Sequence, residues 1–146
     1  MIAIGSDHAG FEHKEKLKKL LSDMGKSYQD FGIYTNEPAD YPDIAHAVSE
    51  AVAESKFELG ILICGTGIGM SIAANKHKGI RAAVCESVTT AKLAREHNDA
   101  NILCIGGRIL PWETAEEIIK TFLTTSFSRD ERHICRINKI HSLTNL

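Results

Sequence analysis

The stretch Leu59-Gly60-Ile61-Leu62-Ile63-Cys64 constrains this chain more than any other. It is apolar at every position but one glycine, so it reads as a strand buried on both faces. It runs directly into Gly65-Thr66-Gly67-Ile68-Gly69 and then into a helix through Ala73 and Ala74. A strand covered on both faces belongs in a parallel sheet flanked by helices, because parallel neighbours need long, usually helical crossovers.

The rest of the sequence repeats that alternation. Met1-Ile2-Ala3-Ile4 reads as a first short buried strand. Leu17, Leu20, Leu21 and Met24 then share one helical face, with lysines and glutamates opposite, and Gly25 ends the run. Residues 27–31 predict a second strand, residues 32–42 a polar loop, and Ile44, Val48, Ala51 and Val52 a second amphipathic helix. Residues 81–85 and 101–105 predict the fourth and fifth strands, with a helix over 88–96 between them. Pro111 suits an early helical position, and Ile118, Ile119, Phe122 and Leu123 give that helix its apolar stripe. Beyond it, Ile134, Ile137 and Ile140 recur among arginines over 130–141, in a segment that can dock on another subunit. The expected architecture is α/β, one domain over 1–146, with its crevice at the carboxyl ends of the strands.

Composition narrows the partners. A net charge of −2 supplies no attraction to nucleic acid or an anionic membrane surface, and 6% aromatic residues leave few platforms for bases. No apolar run approaches the roughly 18 residues of a membrane span. The first residues lack a basic and apolar export signal, so a cytoplasmic setting is expected. Cys64, Cys85, Cys104 and Cys135 are scattered without a C-x-x-C pair, which suits free thiols in a reducing compartment and offers no zinc site.

Four places carry possible chemistry. In the first, the glycines after Cys64 let backbone N–H groups converge on an anion, and a thiol at a helix start is more acidic than a free one. Cys64 is there either a base or a small buried hydrophobe beside a tight turn. In the second, Asp7-His8 follows the first strand and either holds sugar hydroxyls or caps a helix through Ser6 or Asp7. In the third, His97-Asn98 closes the helix before the fifth strand, where an imidazole serves as general acid or base, or as a dipole partner. In the fourth, Arg132 and Arg136 share a helical face and Arg108 follows Gly106-Gly107. Arginine forks fit phosphate oxygens, but the same side chains also fit ordinary ion pairs with Asp130 and Glu131.

Read together, GSDHAG at 5–10, DYP at 40–42, CGTGIGMSIAANK at 64–76, EHNDAN at 96–101, GGR at 106–108 and RHICR at 132–136 resemble the type B ribose-5-phosphate isomerases. That family also includes galactose-6-phosphate and allose-6-phosphate isomerases. The resemblance implies a three-layer α/β/α sandwich around a five-stranded parallel Rossmann-like sheet, with an extra C-terminal helix. It implies a homodimer with active sites at the subunit interface and neither a metal nor an organic cofactor. It assigns Cys64 as the base and His97 as the group that opens the furanose ring. Asp7, His8, Gly65, Thr66, Gly67, Ile68, Gly69 and Asn98 would surround the sugar. Arg108, Arg132 and Arg136 would hold the phosphate, some of them reaching across from the neighbouring subunit. The glycine turn thereby moves from a phosphate cradle to the reacting end of the sugar. Some relatives use a glutamate base where this chain has Met70, which cannot take a proton, so the chain resembles the cysteine branch.

The implied reaction interconverts ribose 5-phosphate and ribulose 5-phosphate, in the non-oxidative pentose phosphate pathway, through an enediolate. Thr66 would orient the thiol or relay its proton. Two rivals stand beside it. One keeps the chemistry and takes a 6-phosphorylated aldohexose. The other is a non-catalytic nucleotide or sugar-phosphate sensor, for which Gly65 to Gly69 and the later Glu86 imitate a dinucleotide-binding fingerprint.

Overall fold

The computed structural model describes residues 1–146. Its strands are β1 (Ile2–Ser6), β2 (Tyr28–Asp30), β3 (Leu59–Cys64), β4 (Ala82–Val84) and β5 (Ile102–Gly106). Its helices are α1 (Phe11–Asp23), α2 (Tyr41–Ala53), α3 (Ile68–Ala74), α4 (Val88–Asn98), α5 (Trp112–Thr124) and α6 (Glu131–Thr144). A single 3-10 turn, His8–Gly10, joins β1 to α1. Every strand pairing is parallel and the order is β2-β1-β3-β5-β4. The chain therefore forms the expected five-stranded parallel sheet between helical layers.

Alternation along the strands sorts the core into two faces. Ile2, Ile4, Leu59, Ile61, Ile63, Leu103 and Ile105 pack with Leu17, Leu21, Ala91, Ile118 and Phe122, which belong to α1, α4 and α5. Ala3, Leu62, Cys64, Ile102 and Cys104 point the other way, onto Ala45, Val48 and Val52 of α2 and Met70 and Ala74 of α3. Cys64 thus faces the α2–α3 layer by parity alone.

Several local expectations change. The second and fourth strands shrink to three residues each, because both lie at sheet edges with one neighbour to pair with. The fifth strand shifts by one residue, to Ile102–Gly106, and α4 continues two residues past Glu96. Pro111 precedes α5 as its N-cap, its ψ of 154° being extended, so the first helical residue is Trp112. Gly25 does end α1: at φ +68° its N–H reaches the Ser22 carbonyl at 3.0 Å while the Lys26 N–H reaches the Leu21 carbonyl at 2.8 Å, a Schellman closure. The terminal segment is a 14-residue helix, α6, longer than its isoleucine repeat indicates. No helix is long and apolar enough to cross a membrane.

Candidate active site

The chain leaves β1 for β2 on one side and reaches β3 on the other, so β1 and β3 flank a topological switch point. Three loops interlock at the carboxyl ends there. The Asp7 N–H donates to the Ile63 carbonyl at 3.2 Å, the Gly107 N–H to the Cys64 carbonyl at 2.7 Å, and the Arg108 N–H to the Gly65 carbonyl at 3.0 Å. These bonds bring Asp7, His8, Cys64, Thr66, the glycine turn and Arg108 to one end of the sheet.

Cys64 ends β3 with 4% of its surface exposed. Gly67 takes φ +80°, in the left-handed region, and this aims its N–H at Cys64 Sγ, 3.1 Å away. The next N–H, of Ile68, donates to Thr66 Oγ1 at 3.2 Å, so the hydroxyl braces the turn. The N–H groups of Gly69 and Met70, in the first turn of α3, have no acceptor within the chain. A Cβ built on Gly65 would sit 3.6 Å from Arg108 Nη1, which puts that guanidinium directly over the turn.

Asp7 performs the capping duty that the sequence left open. Its Oδ1 accepts from the N–H groups of Ala9 at 2.9 Å and Gly10 at 3.2 Å, leaving Oδ2 for another donor. His8 accepts the Ala39 N–H on Nδ1 at 3.2 Å, so the neutral ring carries its proton on Nε2. Tyr41, at the start of α2, lies flat against Gly69, where a Cβ would approach its ring to 2.6 Å. The sequence reading gave Tyr41 no role. Its only signal was its place in the D-Y-P stretch.

The remaining predicted residues form a second group. α4 runs back along the sheet, so His97, in its last turn, lies near the start of β5. Cys64 pairs with Gly106 at the far end of that strand, roughly 13 Å of strand away. The His97 ring stacks on that of His133 at 4.3 Å between centroids and 16° between planes. His133 is buried, and burial, the neighbouring His97 and then Arg132 hold its pKa below the usual value. Arg132 and Arg136 are exposed on the same helix, Arg132 only loosely paired with Asp130 at 3.5 Å. Asn98 lines a cavity of about 320 Å³ with Ala83, Ile140 and His141, too apolar a lining for a sugar phosphate. No cavity of the single chain is lined by Cys64 or His97.

The sensor reading loses its acid. Glu86 follows β4, and β5 separates β4 from β3, so the carboxylate stands two strand spacings, about 10 Å, from the glycine turn. A dinucleotide site needs that acid on the adjacent strand, and parity of spacing along the sequence hid the intervening strand.

An open parallel sheet with a thiol and a glycine turn at its switch point places the chain among the α/β proteins that bind a ligand at the carboxyl ends of their strands. The chain belongs to the ribose/galactose isomerase family, whose pattern matches residues 2–140, and is a sugar-phosphate isomerase. The structure of Clostridium thermocellum ribose-5-phosphate isomerase B is similar to it, with 46% identity, coverage of 99% of this chain and 97% of that one, and a TM-score of 0.96. Ribose-5-phosphate isomerase B of Escherichia coli is 42% identical over 142 residues, 97% of this chain and 95% of that protein. The D-erythrulose-4-phosphate isomerase of Pectobacterium atrosepticum is 41% identical over 127 residues, 86% of this chain and 84% of that protein.

Proposed function

We propose that this chain interconverts ribose 5-phosphate and ribulose 5-phosphate in sites built by two copies of itself. The Gly67 N–H aimed at Cys64 Sγ carries the reading, because it stabilises a sulfur that bears negative charge. Cys64 removes the C2 proton of the open-chain sugar and returns it to C1, the interval being an enediolate. Gly69 and Met70, with unspent N–H groups, stabilise the growing oxyanion; losing one such donor costs other enzymes about 3 kcal/mol. Thr66 holds the turn in shape, and its hydroxyl relays the proton.

His97 belongs to the same reaction only if a second copy supplies it, since its own chain holds it at the other end of the sheet. From there it protonates the ring oxygen and opens the furanose, while Asp7 Oδ2 and His8 Nε2–H hold hydroxyls. Arg132 and Arg136, on the face beside His97, arrive with it and meet Arg108 around the phosphate. Asn98, beside His97 at the end of α4, comes with it to touch the sugar. Exposed Ile68 and Ile72 on α3, and Ile140 and Leu143 on α6, supply apolar surface for such a homodimer. No metal enters any step, so chelators leave turnover unchanged.

The kinship with an erythrulose-phosphate enzyme favours a second reading, in which a sugar phosphate of another length is taken by the same thiol. Ribose 5-phosphate, allose 6-phosphate and erythrulose 4-phosphate, each incubated with the protein in deuterated water, separate the two. Isomerisation of ribose 5-phosphate with deuterium entering the carbon-bound positions is expected to be fastest. Faster turnover of another sugar replaces the substrate, and no exchange on any of them ends the isomerase mechanism.

A further inference from the structure

Two asparagines with no place in the reaction grip one short segment of backbone. The Asn101 side-chain amide accepts the Arg81 N–H at 2.8 Å and donates to the Gly79 carbonyl at 2.8 Å. The Asn75 amide accepts the Ala82 N–H at 2.8 Å and donates to the Ala82 carbonyl at 2.9 Å, along the outer edge of β4. The Asn101 N–H donates to the Arg81 carbonyl at 3.0 Å, so both main-chain polar groups of Arg81 are engaged.

The Arg81 side chain, 19% exposed, spends its donors on the end of α4. Nε reaches the carbonyls of Asn98 and Asp99, each at 3.0 Å, and Nη2 reaches the Asp99 carbonyl at 2.8 Å and its Oδ2 at 3.3 Å. Carbonyls at a helix C-terminus have no partner within the helix, and a cation there also suits the dipole. Asp99 takes φ +43° where α4 stops, so these bonds fasten the residue at which the chain turns away. Nη1 donates to His141 Nε2 at 2.9 Å, in the last turn of α6. That helix buries only His133 and Ile137, and this bond ties down its far end. One guanidinium thus joins the helix that ends in His97 and Asn98 to the helix that carries Arg132, His133 and Arg136.

We propose that Arg81 is a positioning residue for the isomerisation, which fixes His97 and Asn98 against α6 without touching the sugar. The assignment rests on the reading that His97 opens the ring. Displacing a reacting group by about 1 Å costs on the order of a hundredfold in rate, so the attachment of α4's last turn bears directly on turnover. A lysine keeps the charge but is a point donor, and does not span two carbonyls and an imidazole at once.

Arg81→Ala and Arg81→Lys, with circular dichroism as the check on folding, test the assignment in two reactions. Turnover of saturating ribose 5-phosphate includes ring opening. Exchange of a C1 hydrogen of ribulose 5-phosphate with deuterated water does not, because that ketose, its C5 oxygen phosphorylated, is open-chain. Arg81→Ala should lose at least about tenfold in the first reaction and less than about threefold in the second. Arg81→Lys should show the same imbalance at smaller size, whereas a loosened fold lowers both reactions alike. Ribose 5-phosphate turnover of Arg81→Ala within about twofold of the wild type overturns the assignment, as do equal losses in the two reactions in a folded variant. His97→Asn, assayed alongside, keeps the two readings apart. Equal losses in that variant end the ring-opening role of His97 itself, and Arg81's with it; an imbalance there that Arg81→Ala lacks ends the role of Arg81 alone.

Discussion

Four thiols share this chain, and their surroundings separate them at the level of single residues. Burial pushes Cys104 well above the ordinary thiol range, with Cys64 and Cys85 adding to the effect, and burial also raises Cys85. Both remain protonated and inert. Cys135 is exposed on α6, and only Cys64 receives an N–H from the glycine turn. Cys64→Ala should lower turnover about a thousandfold while circular dichroism and the unfolding midpoint stay near wild type, and retained turnover would remove the thiol from the reaction. Gly67→Ala forces a side chain into φ +80°, 3.1 Å from the Ile105 carbonyl carbon, and should cost about 1–2 kcal/mol in urea denaturation. His133 adds a pH dependence. Its folded pKa lies below the ordinary 6.5, so above that pH the ring is neutral in both states. As pH falls below 6.5 the unfolded chain takes the proton first, and the folded state loses stability. Urea midpoints between pH 7.5 and 5 should fall more steeply in the wild type than in His133→Gln, and parallel profiles would count against this assignment. The candidate side chains were legible as residue types in short motifs. The Asp7 cap was one of two readings the sequence offered, but the Gly67 contact and the His97–His133 stack were not legible, because each depends on a backbone angle or a neighbour distant in sequence.

Among the elements, the apolar strands were legible because both faces of β1, β3 and β5 are covered, which leaves no polar positions to blur the run. The edge strands were less so: β2 reads Tyr-Gln-Asp, and its place comes from pairing with β1 and from an ion pair. Lys14 lies on the buried face of α1, fully shielded, with Nζ 2.7 and 2.6 Å from the two Asp30 oxygens and near the Ile33 carbonyl. Lys18 reaches the same carboxylate at 2.8 Å. Burial alone would raise the Asp30 pKa, but hydrogen bonds from Lys14, Lys18 and the Gly32 N–H outweigh it and hold the group below its ordinary value. Helical periodicity puts Lys14 in line with Leu17 and Leu21, but a lysine on that face was not legible as buried because its partner lies 16 residues away. Asp30→Asn leaves a buried ammonium without its carboxylate and should cost about 3 kcal/mol by urea denaturation at neutral pH. The wild type should lose that advantage as pH falls through the carboxylate range, since the depressed Asp30 pKa contributes stability only above it. A loss under about 0.5 kcal/mol would mean that the pair is no more than a solvated contact.

The whole molecule holds what a single sequence could least reveal. Alternating strands and helices announced a parallel sheet, but nothing local indicated that β5 inserts between β3 and β4. That insertion separates Glu86 from the glycine turn, and the return of α4 along the sheet separates His97 from Cys64. Exposed isoleucines at 68 and 72, 54% and 60% accessible, and Leu143, at 83%, mark surface that a second copy would cover. Leu143→Glu combined with Ile140→Glu should shift the protein toward monomer in sedimentation and remove activity together with the dimer; active monomers would contradict a shared site. The sharing of one site between two chains is tested most directly by mixing Cys64→Ala with His97→Asn, each nearly inactive alone. Co-refolded in equal amounts, half the dimers are mixed, and each carries one site with an intact thiol from one chain and an intact imidazole from the other. Turnover of ribose 5-phosphate should recover to about a quarter of the wild-type value. Mixed dimers that form and stay as inactive as their parents would contradict a site that joins Cys64 of one copy to His97 of the other.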